Sequence, residues 1–296
     1  MAPPFLQPDA STPAPDWATQ QEDILCSLCD YNLRGLTKPR CPECGYRFTW
    51  PELLDEARRR HPYLFEQPLH RPIWSFFRTA IGGLAPARFW KSIHPALPVR
   101  PGRLLVYWVM VLLPLLLTMG VVIVSAITSY LAQSSSPAWG IPTRLPPRTI
   151  NWGMIDGGLV KYYLWPMLAW CCWPPLLFLT LMIFRMSMRR ARVRTAHVLR
   201  CITYSCDSLL LLNLPTLALA ASDYFQPGPR GWRYTSRVDA WIFWAMILWI
   251  LLTTWRLRQA YRHYLRFDHP LATVLVSQLI VFLVVIVVLL QLGYVR

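Results

Sequence analysis

Four cysteines near the N-terminus carry the clearest chemistry. Cys26 and Cys29 are separated by two residues, as are Cys41 and Cys44, and eleven residues lie between the pairs. Such a set supplies four thiolates, the donor complement of a closed tetrahedral Zn²⁺ site. The two-residue spacing lets each pair turn tightly around one ion. Gly45 follows the second pair, where the chain must turn and backbone amides approach the sulfurs. Gly35 and Pro39 mark the turn between the halves. Tyr31, Leu33, Leu36, Tyr46 and Phe48 are placed to cover the ion. A domain below about 40 residues rarely builds a sufficient core and usually needs such a staple. With every ligand position filled by protein, no metal-bound catalytic water is expected.

Asp207 and Asn213 are the next candidates. Both fall in an apolar stretch, where a carboxylate is costly and marks a possible intramembrane polar site. Arg200 lies one helical face away and Arg256 follows another apolar stretch, so either can pair with Asp207. His197, Cys201 and Cys206 stand close in sequence but offer no fourth ligand for a second metal. G-x-S-x-G, H-E-x-x-H, a Walker loop and a dinucleotide fingerprint are all missing from the sequence. The chain reads as non-enzymatic.

The elements that position these residues are apolar. Hydrophobic residues make up 54% of the 296 and charged residues only 15%. A soluble globule carries about 25% charged residues, so the composition points to a lipid-embedded protein. The expected fold class is an all-α transmembrane bundle of about five helices with a small N-terminal β-type zinc ribbon. The spans fall near 104–131, 164–184, 201–222, 238–255 and 271–292, the third interrupted by Asp207. Residues 1–22 read as a disordered Pro-rich tail, 23–50 as the ribbon, and 51–103 as a linker with an interfacial amphipathic segment. In that segment Trp74, Phe76, Phe77, Phe89 and Trp90 alternate with Arg78, Arg88 and Lys91. Pro114, Pro166, Pro174, Pro175 and Pro215 fall inside spans and favour kinks that neighbouring helices must satisfy.

The formal net charge of +15 first suggests nucleic acid, but its distribution fits membrane topology. The 185–200 and 256–269 loops hold ten Arg, against five in 132–160 and 223–237. The positive-inside rule then places the N-terminus in the cytoplasm. Five crossings put Arg296 outside; if 201–222 is re-entrant, four crossings return it inside. The expected location is the inner (cytoplasmic) membrane. Around the cysteines, Arg34, Lys38, Arg40 and Arg47 outnumber Asp30 and Glu43. That modest excess favours contact with a cytoplasmic protein, or a purely structural role, over nucleic acid.

The run Cys26-x-x-Cys29-x-Tyr31-x-Leu33-Arg34-Gly35-Leu36, followed by Cys41-Pro42-Glu43-Cys44-Gly45, resembles the zinc ribbon that precedes membrane spans in many bacterial multi-span proteins. The resemblance implies zinc binding by Cys26, Cys29, Cys41 and Cys44, and no reaction. A rubredoxin-like iron centre uses similar pairs with a much longer spacer. A cytoplasmic N-terminus followed by five spans is similar in outline to the Yip family. Two functions compete: a membrane scaffold whose ribbon recruits a partner, and a transporter or channel using Pro-kinked spans and Asp207.

Overall fold

The computed structural model describes residues 14–18, 23–54, 61–67, 71–135, 165–187, 193–224, 231–265 and 269–291. Arg189, Arg190, Arg192, Arg296, most of the expected 132–160 loop, residues 225–230 and most of the expected tail lie outside these residues. The rest of the loop expected over 223–237 is helical instead, its first two residues ending one helix and Gly231 beginning the next. The described chain is mostly helical: α1 Trp50–Leu54, α2 Pro72–Gly82, α3 Pro86–Ser92, α4 Pro101–Ser135, α5 Trp165–Ser187, α6 Thr195–Cys206, α7 Leu209–Tyr224, α8 Gly231–Ala260 and α9 Pro270–Gln291. A π-helical turn, Tyr261–Leu265, extends α8.

Proline sets the starts. Pro72 and Pro86 occupy the first turns of α2 and α3, where a missing N–H costs nothing and φ is already helical. α2 stops at Gly83, whose amide closes back onto the Thr79 carbonyl at 3.1 Å. α4, α5 and α7 continue through Pro114, Pro174–Pro175 and Pro215.

Two sequence expectations change. No strand forms among the described residues; the ribbon's β character is limited to two isolated bridges, Leu25 with Asn32 and Arg40 with Arg47. Each bridge closes one CxxC turn, and the backbone bonds of each arm end at Leu33–Ile24 and Phe48–Pro39, too short for a ladder. The 201–222 segment is two helices, α6 and α7, parted at Asp207–Ser208. The Asp207 carboxylate is drawn to polar partners described below. α7 has 16 residues, about 24 Å at helical rise against a hydrocarbon core of about 30 Å.

The chain divides into two compact units. The first comprises Met1–Trp108, Pro174–Ser208 and Leu252–Leu283. Its core is aromatic: Tyr204 meets Tyr107 at 5.1 Å, Phe89 at 5.8 Å and Trp90 at 6.4 Å between centroids, and Trp90 meets Tyr264 at 5.6 Å. Phe65 and Phe76 extend it, each within 5.4 Å of Tyr107. The interfacial segment expected over 51–103 thus sends Phe76, Phe89 and Trp90 inward. The second unit comprises Val109–Trp173, Leu209–Leu251 and Val284–Arg296. Within it Trp173 and Trp249 stack edge-on at 6.2 Å, and Val111, Leu115, Trp170 and Ala245 are buried.

Two helical stretches, Pro101–Val121 and Pro270–Gln291, are long and apolar enough to cross a membrane, with mean hydropathies of 2.3 and 3.1. α9 buries Val274, Ser277, Gln278 and Val281 while Leu271, Leu275, Val276, Leu279, Phe282 and Leu283 face out. The polar residues of its middle are therefore inside and its large apolar ones outside.

Candidate metal centre

The cysteine module is built twice over. In the first half the Cys26 amide donates to Tyr31 O, the Asp30 amide to Cys26 O and the Leu33 amide to Ile24 O. In the second half the Cys41 amide donates to Tyr46 O, the Gly45 amide to Cys41 O and the Phe48 amide to Pro39 O. Every bond of the second half is the first displaced by the same number of residues. Both turns need a left-handed residue after the second cysteine: Gly45 supplies φ +70° and Asp30 φ +63°. Glycine meets that requirement without strain, and Asp is among the few other residues that tolerate it.

The two turns bring all four sulfurs together, each within 4.8 Å of the others. Cys26 Sγ lies 3.6 Å from Cys44 Sγ, and Cys29 Sγ 3.5 Å from Cys41 Sγ. Four cysteines this close can hold a metal ion, and no second such group occurs among the described residues. Cys26 and Cys41 are buried and Cys29 and Cys44 half-buried. Leu33, Tyr46 and Phe48 cover the site as expected, with Tyr31 and Leu36 more open. Ile24, Leu28 and Trp50 complete the cover, and Trp50 stacks edge-on with Phe48 at 5.0 Å and with Trp17 at 5.1 Å.

The sulfurs alone cannot all be thiolates. A hydrogen bond from the Cys44 thiol pulls Cys26 down to about 5, against its burial. The same bond, then burial, pushes Cys44 well above the usual thiol range, and burial pushes Cys29 up to about 12. One negative sulfur therefore opposes ionisation of the next, a repulsion that a bound cation would offset.

The module is seated on the N-terminus of α6. The Arg194 amide donates to Leu28 O at 2.8 Å, and the Arg194 guanidinium pairs with the Asp30 carboxylate. His197 Nε2 lies 2.6 Å from Ser27 O and Nδ1 2.6 Å from the Tyr264 hydroxyl. A carbonyl only accepts, so Nε2 carries the proton and Nδ1 accepts from Tyr264. Burial, with Arg200 nearby, lowers the His197 pKa to about 4, keeping the ring neutral. Both ring nitrogens are committed, so His197 does not join Cys201 and Cys206 in a second metal site.

The chain of bonds continues inward. Tyr264 OH accepts from Arg200 Nη1 at 2.8 Å. Arg200 grips Glu66 through two 2.8 Å bonds, Nε to Oε1 and Nη2 to Oε2, with both side chains fully buried. Its remaining protons reach Leu97 O and Pro98 O. The path from the first cysteine turn thus runs through His197, Tyr264 and Arg200 to Glu66. Sequence reasoning did not anticipate Glu66, Tyr264 or the seating role of Arg194. Only Asp30 left a signal, because Cys-x-x-Cys-Asp-Tyr and Cys-x-x-Cys-Gly-Tyr align.

Asp207 is paired with Arg256, one of the two partners expected. Arg256 Nη2 lies 2.5 Å from Oδ1, and the Tyr107 hydroxyl donates to Oδ2 at 2.5 Å. Asn213 is buried, and its amide meets no hydrogen-bond partner among the described residues. Asp207 and Asn213 belong to different units. Comparison with family models, curated proteins and solved structures returns no match.

Proposed function

We propose that this chain is a non-enzymatic integral membrane protein of the inner (cytoplasmic) membrane. Its cytoplasmic side is organised by one Zn²⁺ bound through Cys26, Cys29, Cys41 and Cys44. The observation that carries the reading is the cysteine cluster. A Zn–S bond of about 2.3 Å gives a tetrahedral edge of about 3.8 Å, close to the 3.6 and 3.5 Å sulfur separations. The ion neutralises the thiolates and fixes the turns that seat on α6. The reducing cytoplasm keeps the thiols available, in agreement with the arginine distribution.

The membrane part of the reading rests on helices that turn polar residues in and apolar ones out, which water penalises and lipid favours. As a scaffold, the protein offers the face of the second cysteine turn, with exposed Lys38, Arg40 and Arg47, to an acidic protein partner. Asp207, closed by Arg256 and Tyr107, serves the interior rather than a transport path.

The test takes the full chain in detergent after alkaline extraction of membranes. The protein is expected to stay in the membrane pellet and to carry about one zinc per chain, lost in Cys26→Ser and Cys41→Ser. A photo-crosslinker replacing Lys38 is expected to capture a discrete protein, with capture reduced by Arg40→Glu. Release into the alkaline supernatant, or zinc far below one per chain with free thiols, overturns the reading. Failure of the crosslink alone removes the recruiting role.

A further inference from the structure

α2 buries Phe76 with two polar residues and leaves its other large apolar residues outside. Ser75 and Thr79 lie on its buried side, 1% and 0% exposed. Ser75 Oγ donates to Tyr63 O at 2.9 Å, and Thr79 Oγ1 accepts from the Phe65 amide at 3.1 Å. The opposite side carries Ile73, Trp74, Phe77 and Ile81, followed by Leu84, each between 49% and 66% exposed. The spacing i, i+4, i+8 of Ile73, Phe77 and Ile81 makes one continuous stripe. A helix in water would be turned the other way.

Charge identifies the occupant of this face. Arg71, Arg78 and Arg88 are exposed along the same segment, and no Asp or Glu occurs between Gln67 and Ile155. Arg78 is stacked over Trp74 at 4.7 Å and Tyr63 at 5.3 Å. That holds a cation beside an indole, the pairing found where headgroups meet acyl chains. The stripe is also in the same unit as the start of α4, whose Leu105 and Val106 are 65% and 52% exposed. An acidic protein groove would meet the cations but not a stripe continuous in character with a membrane-crossing helix.

We infer that α2 is an interfacial anchor half-inserted in the cytoplasmic leaflet, its Ile73–Phe77–Ile81 stripe among acyl chains and its arginines on anionic phospholipid headgroups. This rests on the membrane reading and adds a lipid class to it. Each cation near an anionic surface contributes roughly a fivefold preference.

The test uses the full chain with a benzophenone amino acid replacing Phe77, or Leu113 as a reference on α4. Each protein is reconstituted in phosphatidylcholine vesicles containing a minor fraction of phosphatidylglycerol and then irradiated. Intact mass is expected to show phospholipid adducts at both positions. At position 77 phosphatidylglycerol should exceed its mole fraction by about fivefold or more. Arg71→Gln, Arg78→Gln and Arg88→Gln together should bring it back to the mole fraction. Adducts at 113 with none at 77, a crosslinked second copy at 77, or adducts at the mole fraction in the unaltered chain overturn the inference. Absence of lipid at both positions instead overturns the membrane reading itself.

Discussion

Glu66 and Arg200 are fully buried and satisfy each other through two parallel bonds. Burying two charges is expensive, and removing one partner leaves the other uncompensated at about 3–5 kcal/mol. Glu66→Gln is therefore expected to lower the thermal midpoint of the full chain sharply, whereas Arg88→Gln, an exposed change, leaves it nearly unchanged. Equal midpoints for the two variants would show that the pair contributes little. His61 offers a pH test. Its Nδ1 accepts the Leu64 amide at 3.2 Å, so Nε2 carries the proton toward Ser92 Oγ at 3.4 Å. Burial, then Arg200 and His94, lowers its pKa from 6.5 to about 4. Above pH 6.5 both folded and unfolded rings are neutral. As pH falls from 6.5 toward 4 the unfolded ring takes a proton that the folded one refuses, so stability declines, by a total on the order of 3 kcal/mol. His61→Asn keeps an acceptor near Nδ1 and removes the titration. Unfolding followed from pH 7.5 to 4.5 should fall more steeply for the native chain than for this variant; parallel curves refute the assignment. At this scale the sequence was readable only where spacing rules apply. The cysteines follow one, and Asp207 stood out by being charged in an apolar run. Glu66 lies 134 positions from Arg200, and no local pattern couples residues so far apart.

At the scale of elements, the cysteine module and α6 behave as one body. Ser27, Leu28 and Asp30 of the first turn are held by His197 and Arg194. A metal that fixes the turns therefore also holds the start of α6. Chelation followed by hydrogen exchange on the full chain is expected to expose the amides of Cys26, Leu33, Cys41 and Phe48, and with them the amides of the first turns of α6. Protection of α6 that survives metal removal would mean that the module is merely tethered. The module's existence was legible because four ligands fix it within a short segment. Its attachment was not, since Arg194 reads equally well as one arginine of a topological run. The helices were legible as apolar lengths. Which side of the long apolar helices faces inward was not, because their near-uniform apolarity erases the periodicity that normally reveals a core face. Only sparse polar residues, Ser75 and Thr79 in α2 and Ser277 and Gln278 in α9, carry that information.

For the whole molecule, Pro101–Val121 and Pro270–Gln291 are long and apolar enough to cross a membrane, and the proposed count of five crossings is tested at α7. The apolar run 201–222 is long enough by count, yet α6 takes its first part into the cysteine-bearing unit and leaves α7 with 16 residues. At about 24 Å such a helix crosses only by thinning the bilayer or by drawing its flanking residues toward the interface, at a fraction of a kcal/mol per Å of mismatch. On the proposed topology that cost is set against moving the remaining arginines of 185–200 and 256–269 to the other side; Arg200 and Arg256 do not count there, being buried in α6 and α8 on Glu66 and Asp207. On the proposed reading of five crossings, the arginine-rich 185–200 and 256–269 segments lie on the side of the N-terminus and the C-terminal end on the other. Reporters fused to the two ends are expected to read opposite compartments. A label that penetrates only from outside should reach a cysteine introduced after Arg296 but not one introduced before Asp23. If both ends respond from one side, α7 turns back within the leaflet, four helices cross, and the 223–237 segment joins the cytoplasmic face.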